Sequence, residues 1–245
     1  MIAQWIQKQW SQFTFWHVLL LPISWLFCCL VSTRKFLYKC GILKPSQLSI
    51  PVIVVGNISV GGTGKTPLVI WLVEQLRLAG FKPGVISRGY GATVSQIQAV
   101  SANSQVGTVG DEPLLIARRA SCPVYVSPNR VAAGKALIEH HPECDVIISD
   151  DGLQHYALHR DVEIAVLDGT RGMGNRALLP AGSLREPLAR LSNVDAVVVN
   201  GKANDALRSD LQAFKPIEMQ LQSGKVYNLA NHAFQVEPAY FSDKK

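Results

Sequence analysis

The chain has 245 residues, of which 48% are hydrophobic and 17% charged, enough for one α/β domain with appendages and unlike a disordered chain or a coiled coil. Its formal charge of +6 comes without a dense Lys/Arg stripe interleaved with aromatics, which argues against nucleic acid. What remains is ordinary solvation or an anionic small partner or membrane surface. Five cysteines without paired metal spacing read as small buried hydrophobes in a reducing compartment, not as disulfides or zinc ligands.

The N-terminus is the main anomaly. Phe13 to Val31 (FTFWHVLLLPISWLFCCLV) carries no formal charge, and as a helix it would span about 28 Å, close to the hydrocarbon thickness of a bilayer. A cleaved signal would need a basic start and a small-residue cleavage site, whereas Trp25, Phe27, Cys28 and Arg34 follow. A buried core helix competes with a membrane-inserted or interfacial one, and Trp5, Trp10, Trp16 and Trp25 favour the membrane. His17 and Pro22 interrupt a clean span, so spanning and surface-lying forms both stay open. Arg34, Lys35 and Lys39 after the segment, against Lys8 before it, put the bulk of the chain on the cytoplasmic side.

Beyond the linker Lys44-Pro45-Ser46, apolar runs alternate with helical patterns. Pro51–Gly56 is an uninterrupted β-branched run, as a strand buried on both faces requires. Thr66–Ala79 reads as a helix with Leu68, Trp71, Leu72, Leu76 and Ala79 on one face. A strand over Gly84–Ser87 and a glycine-punctuated turn at Arg88–Gly91 follow, then a polar hairpin or loop over Ala92–Val109. Helices are expected at Glu112–Ala120 and Arg130–His140, and strands at Val124–Val126, Asp145–Ser149, Val162–Leu167 and Ala196–Val199. This alternation predicts an α/β fold of the P-loop NTPase type, a mostly parallel sheet flanked by helices and preceded by the membrane-associated helix. Such sheets hold ligands at the carboxyl ends of their strands, where Gly56–Thr66, Ser87–Gly91, Asp150, Asp151 and Asp168 fall.

The strongest chemical signal is the strand-to-helix turn Ser59-Val60-Gly61-Gly62-Thr63-Gly64-Lys65-Thr66. Glycines let backbone N–H groups curl around an anion, the helix start adds partial positive charge, and a lysine reaches the β/γ-phosphates. Thr66 supplies the hydroxyl that ligates Mg²⁺ in such loops. The general pattern wants glycine where Ser59 stands, and a purely structural glycine turn is the competing reading. Asp150 and Asp151 close a buried strand, where a phosphoryl-transfer enzyme needs carboxylates, although a helix N-cap would use the same residues. Asp111-Glu112-Pro113 is equally compatible with a plain helix start. Histidines 155 and 159 lack metal-ligand partners at suitable spacing. Leu179–Pro187 gains no meaning from spacing alone, beyond Arg185 as a possible phosphate clamp.

Together these segments resemble a known family. Val55–Pro67, Ser87–Gly91, Gly110–Pro113, Asp150–His155 and Leu179–Pro187, in that order and behind a hydrophobic helix, are similar to the blocks of the tetraacyldisaccharide 4'-kinases (lipid A 4'-kinases) over residues 10–230. That family carries a small hydroxyl residue at the place of Ser59. The resemblance implies an ATP- and Mg²⁺-dependent lipid kinase at the bacterial inner membrane, catalytic domain on the cytoplasmic side. Such an enzyme moves the γ-phosphate of ATP to the 4'-hydroxyl of a tetraacyldisaccharide 1-phosphate in lipid A biosynthesis. It further implies Ser59–Thr66 as the nucleotide cradle, with Lys65 on the phosphates and Thr66, Asp150 and Asp151 at the metal. Asp111 would accept or orient the hydroxyl proton, and Arg88, Glu112, His155, Arg185 and Glu186 would line the site. Partners are then the lipid substrate and inner-membrane lipids, with no protein partner implied. Family members run longer, adding an Asp-His-His segment, while Asn228–Lys245 departs from their pattern. The expected division is therefore a helix and linker at 1–45, a kinase domain at 46–230 and a divergent tail at 231–245. A membrane-recruited ATPase switch and a truncated, non-catalytic nucleotide-binding paralogue are the alternatives.

Overall fold

The structure is a computed structural model and describes residues 9–10, 14–91, 96–222, 226–227, 235–236 and 240. Its centre is an eight-stranded sheet. In chain order the strands are β1 (Val52–Gly56), β2 (Pro83–Ser87), β3 (Gln98–Val100), β4 (Val124–Val126), β5 (Val146–Asp150), β6 (Val162–Asp168), β7 (Ala196–Asn200) and β8 (Ile217–Met219). The spatial order is β3-β4-β2-β5-β1-β6-β7-β8, and all neighbours are parallel except the β3–β4 pair at one edge. A short antiparallel pair, β9 (Val226–Tyr227) with β10 (Gln235–Val236), stands apart.

β1 sits between β5 and β6, so both its faces need cover and its side chains divide between two cores. Val52 and Val54 pack with Ile147, Leu153 and Leu137, whereas Val55 packs with Val69, Val73 and Ile148. The second face is covered by α2 (Lys65–Leu78) and by α4 (Asp111–Arg119), which follows the one-turn α3 (Val106–Val109). On the first face lie α5 (Arg130–His140) and the connections that precede and follow β6, including the 3₁₀ turn Leu188–Asn193. The short helix α6 (Asp205–Asp210) links β7 to β8. Parallel strands put the carboxyl ends of β1, β2, β5, β6 and β7 on one edge, so residues distant in sequence converge there.

Several expectations are corrected. On α2 the buried stripe is Leu68, Val69 and Val73, while Trp71 is exposed. At about 100° per residue Trp71 lies about 200° round from Val69, on the solvent side. The polar segment before Gly110 contains edge strand β3 and α3, with residues 92–95 outside the described ones. Of the five cysteines only Cys144 is buried; Cys122 and Cys28 are half-buried, and Cys29 and Cys40 are exposed. The linker at Lys44–Ser46 is tied down, since Ser46 donates its N–H to Ala157 O (2.7 Å) and accepts from His159 N (2.9 Å).

The N-terminal helix α1 runs from Phe15 to Lys39, past the expected end of the apolar stretch. It is long and apolar enough to cross a membrane by length and composition. Its buried positions are His17 and Ser24, while Phe15, Val18, Leu19, Ile23, Trp25, Leu26 and Leu30 are exposed. His17 serves the helix start, its Nδ1 accepting from Thr14 N at 2.6 Å. Ser24 Oγ donates to Leu178 O (3.0 Å) and accepts from Ala181 N (2.9 Å). The protein-facing side of α1 carries His17 and Ser24 among half-buried Leu20, Leu21, Phe27 and Val31, and the outward-facing residues of the helix's first four turns are mostly apolar.

Candidate active site

The loop leaving β1 turns twice through conformations open to glycine, at Gly61 (φ +105°) and at Gly64 (φ +90°), the residue before α2. A Cβ on Gly64 would lie 2.6 Å from Asn200 Nδ2, and its positive φ disfavours any residue that carries one. Lys65 and Thr66 form the first turn of α2 and are both buried, with Lys65 Nζ 3.6 Å from Asp151 Oδ1. Ser59 and Val60 pair with the 183–184 backbone, Val60 N donating to Ser183 O at 2.8 Å, and Arg185 N donates to Ile58 O at 2.7 Å. The segment Leu179–Pro187, mute by spacing, is therefore stitched to the phosphate loop.

That stitching aims Arg185 at the acids. Its Nη1 is 3.2 Å from Asp151 Oδ2 and donates to Gln154 Oε1 at 3.4 Å. Burial alone would push the Asp151 carboxyl up, but the Lys65, Arg185 and Arg130 charges outweigh it and hold the carboxyl below the ordinary range. Asp150, one residue earlier, is fully buried and accepts from Ser87 Oγ at 3.4 Å. Burial first, then the nearby Glu112 and Asp151 carboxylates, push it up to about 7. Its Oδ1 is buried without a hydrogen-bond partner among the described residues. The buried Arg130, absent from the sequence-derived set, donates from Nη2 to the carbonyls of Asp150 (3.1 Å) and Asp151 (2.8 Å) and so fixes the backbone that carries both acids.

A cleft of about 530 Å³ runs from these acids to α1, lined by Arg88, Glu112, Arg130, Asp151, His155 and Arg185 on one side and Phe27, Val31 and Arg34 on the other. Glu112 stands at its rim, open to solvent, yet the surrounding protein and then the Asp151 and Asp111 charges push its carboxyl up. Burial, reinforced by Arg130, Arg160, Arg34 and Arg88, lowers His155 to about 4, so it is neutral at pH 7. Asp111 opens α4 beside Glu112 and is exposed, its Oδ1 accepting from Glu112 N at 2.9 Å. It is not among the cleft-lining residues. Gly110 (φ +91°) lets α4 start against the Arg88–Gly91 turn, where a Cβ would lie 2.9 Å from Tyr90 O.

Glu186 lies beneath the cleft instead of lining it, 1% exposed. Its carboxylate accepts from Tyr156 Oη and from Gln154 Nε2 (2.8 Å) and pairs with Arg190 Nε (3.3 Å). Sequence reading missed this group because Tyr156 and Arg190 sit in no recognisable motif. Nor did spacing single out Phe27, Val31 and Arg34 as cleft residues, since nothing local connects α1 to the sheet edge.

A glycine loop between the central strand of a parallel sheet and a helix, with Lys65-Thr66 at the helix start and acids on the adjacent strand, defines a P-loop protein of the α/β class. Comparison with known proteins narrows this class. The chain belongs to the LpxK family, tetraacyldisaccharide-1-P 4'-kinase, whose profile matches residues 16–241. It is 53% identical over 199 residues to the tetraacyldisaccharide 4'-kinase of Methylobacillus flagellatus, covering 81% of this chain and 59% of that one. It is 49% identical over 234 residues to that of Dechloromonas aromatica, covering 94% and 67%. The crystal structure of "apo" form LpxK from Aquifex aeolicus in complex with ATP superposes with a TM-score of 0.71 at 34% identity, covering 84% of this chain and 64% of that one. The chain thus spans about three fifths to two thirds of the length of these relatives.

Proposed function

We propose that the chain is a lipid kinase that transfers the γ-phosphate of ATP to the 4'-hydroxyl of a tetraacyldisaccharide 1-phosphate. The observation that carries this reading is one cleft joining the Asp151 partner of the P-loop lysine to apolar residues of α1. A P-loop switch has no need of an apolar helix beside its acids, whereas a lipid acceptor does. Arg34, Arg88, Arg130 and Arg185 give the cleft the positive charge that an already phosphorylated lipid requires.

In this reaction the acceptor hydroxyl oxygen bonds to the γ-phosphorus as the bond to the bridging oxygen of ADP breaks. Asp111 takes or orients the hydroxyl proton, and Lys65 neutralises charge on the β/γ-phosphates. Thr66, next to Lys65, and Asp150, with its unpartnered Oδ1, fit a hard divalent cation, and Asp151 stands beside them. Among the described residues no group of three His, Cys, Asp or Glu side chains forms a complete metal site, so these residues would hold Mg²⁺ only together with donors from the nucleotide's phosphates. A divalent cation held by these residues would supply positive charge to offset that of the phosphates.

We place the protein on the cytoplasmic side of the inner membrane, lying on its surface. Contacts from Ser24 to Tyr38, whose ring centroid is 6.0 Å from that of Tyr156, hold roughly 21 Å of α1 against the domain. A helix so docked presents its apolar edge to the bilayer instead of crossing it. Residues 1–45 then form the membrane helix and linker, 46–230 the kinase domain and 231–245 a tail. The test supplies the purified chain with γ-labelled ATP, Mg²⁺ and the disaccharide lipid in vesicles. Label is expected in the lipid, and Lys65→Ala is expected to abolish the transfer. Label only in free phosphate, label nowhere, or near-normal transfer by Lys65→Ala would each overturn the reading.

A further inference from the structure

The phosphate loop can offer its N–H groups to an anion only if its peptide planes face the right way, and two side chains outside the Gly-Lys-Thr signature grip those planes. Asn57 Nδ2 donates to Gly61 O at 3.3 Å. Arg171 Nη2 donates to the next carbonyl, Gly62 O, and the guanidinium occupies the space that a Cβ on Gly61 would need. Arg171 is itself held: its Nε donates to Asp168 Oδ2 at 2.9 Å. The other oxygen of Asp168 accepts from the backbone N–H groups of Thr170 (3.0 Å) and Arg171 (2.9 Å). Asp168 ends β6, the strand beside β1, so a rigid sheet position carries the whole arm.

A trans peptide is planar, with C=O and N–H pointing opposite ways. Anchoring Gly62 O to Arg171 therefore turns the Thr63 N–H to the opposite side. In a nest of successive N–H groups, each plane that rotates freely is one donor lost to the anion. We propose that Arg171, braced by Asp168, is a positioning residue for the phosphate cradle, holding the Gly62–Thr63 peptide so that the Thr63 N–H is presented to the nucleotide's phosphates. The proposal rests on reading this loop as the ATP site, though not on the identity of the acceptor.

Arg171 is about half exposed, so its replacement leaves the core intact. Binding of ATP and of tripolyphosphate to the purified chain is measured by calorimetry for the parent, Arg171→Ala and Asp168→Asn. Arg171→Ala is expected to weaken both ligands about tenfold, the worth of one charge-assisted hydrogen bond, with KM for ATP rising in step and kcat changing less than twofold. Asp168→Asn keeps the shape of the brace and loses its charge. It is expected to weaken both ligands several-fold, whereas an Arg171 acting only as a nearby positive charge predicts equal or tighter binding in this variant. ATP affinity within twofold of the parent in Arg171→Ala, or unchanged or tighter binding in Asp168→Asn, would overturn the proposal. A parent that binds neither ligand would overturn it together with the ATP-site reading. A parent that binds ATP without phosphorylating lipid would remove only the kinase assignment.

Discussion

Asp150 and Asp151 are neighbours in sequence with opposite environments. Asp150 continues the buried strand, and Asp151, at φ +49°, turns its carboxylate to Lys65 and Arg185. One is pushed up by burial and the other held down by cations, the separation of acid strengths that sites using two carboxylates exploit. Four residues on, His155 makes a prediction at the same scale. Its folded value of about 4 lies below its ordinary 6.5, with Arg34, Arg88, Arg130 and Arg160 facing it and Glu112 and Asp151 in the same cleft. The unfolded chain therefore takes up the proton first, and the contribution of His155 to stability is complete above pH 6.5 and lost as the pH falls to about 4. Urea unfolding across this window should show a fall in stability that is shallower in His155→Gln by up to one proton. Equal slopes in the two proteins would contradict the neutral, half-buried imidazole.

At the scale of elements, α1 is where the proposed surface-lying attachment can be tested against a spanning one. Its apolar composition suits both, but Ser24 ties it to the domain, and its outward residues from Phe15 to Leu30 are almost wholly apolar. Replacing Ile23 and Leu26 with Asp on that outer side should lower binding to anionic vesicles at least tenfold. The urea midpoint of the domain should hardly move, because neither side chain packs on it. Unchanged vesicle binding would assign membrane attachment to another surface. Elsewhere the element readings hold for β1, β4 and α5, where pattern and burial agree. They fail where context rules: β3 and β8 are three-residue strands at the sheet edges, too short to carry an alternation, and Trp71 is apolar without being buried.

Across the whole molecule, a chain of charged groups runs beneath the cleft. Arg190 pairs with Glu163 (2.6 Å) on β6 and with Glu186 (3.3 Å), Glu163 pairs with Arg160 (2.9 Å), and Glu186 holds Gln154, which meets Arg185. This ties the 184–190 segment to the sheet and keeps Arg185 on Asp151. Removing one member of a buried set leaves the others uncompensated, so Arg190→Met should cost about 3 kcal/mol or more and lower Tm by roughly 10 °C. Thermal unfolding of the variant within a degree or two of the parent would show that the network contributes little to stability.

What the sequence determined by itself was local or strongly periodic. The glycine turn ending in Lys65-Thr66, the buried strands and the acids at a strand end are legible because glycine conformations, β-branched runs and charge at the end of an apolar run are properties of neighbouring residues. The family resemblance followed from the order of those blocks. Tertiary structure alone decided which distant groups meet: Arg130 behind the acids, Glu186 beneath the cleft and not in it, Arg171 on the phosphate loop, and α1 docked through Ser24 with Phe27 and Val31 at the cleft. The physical reason is that strand order in a parallel sheet and the docking of a helix depend on long-range packing, which no local spacing records.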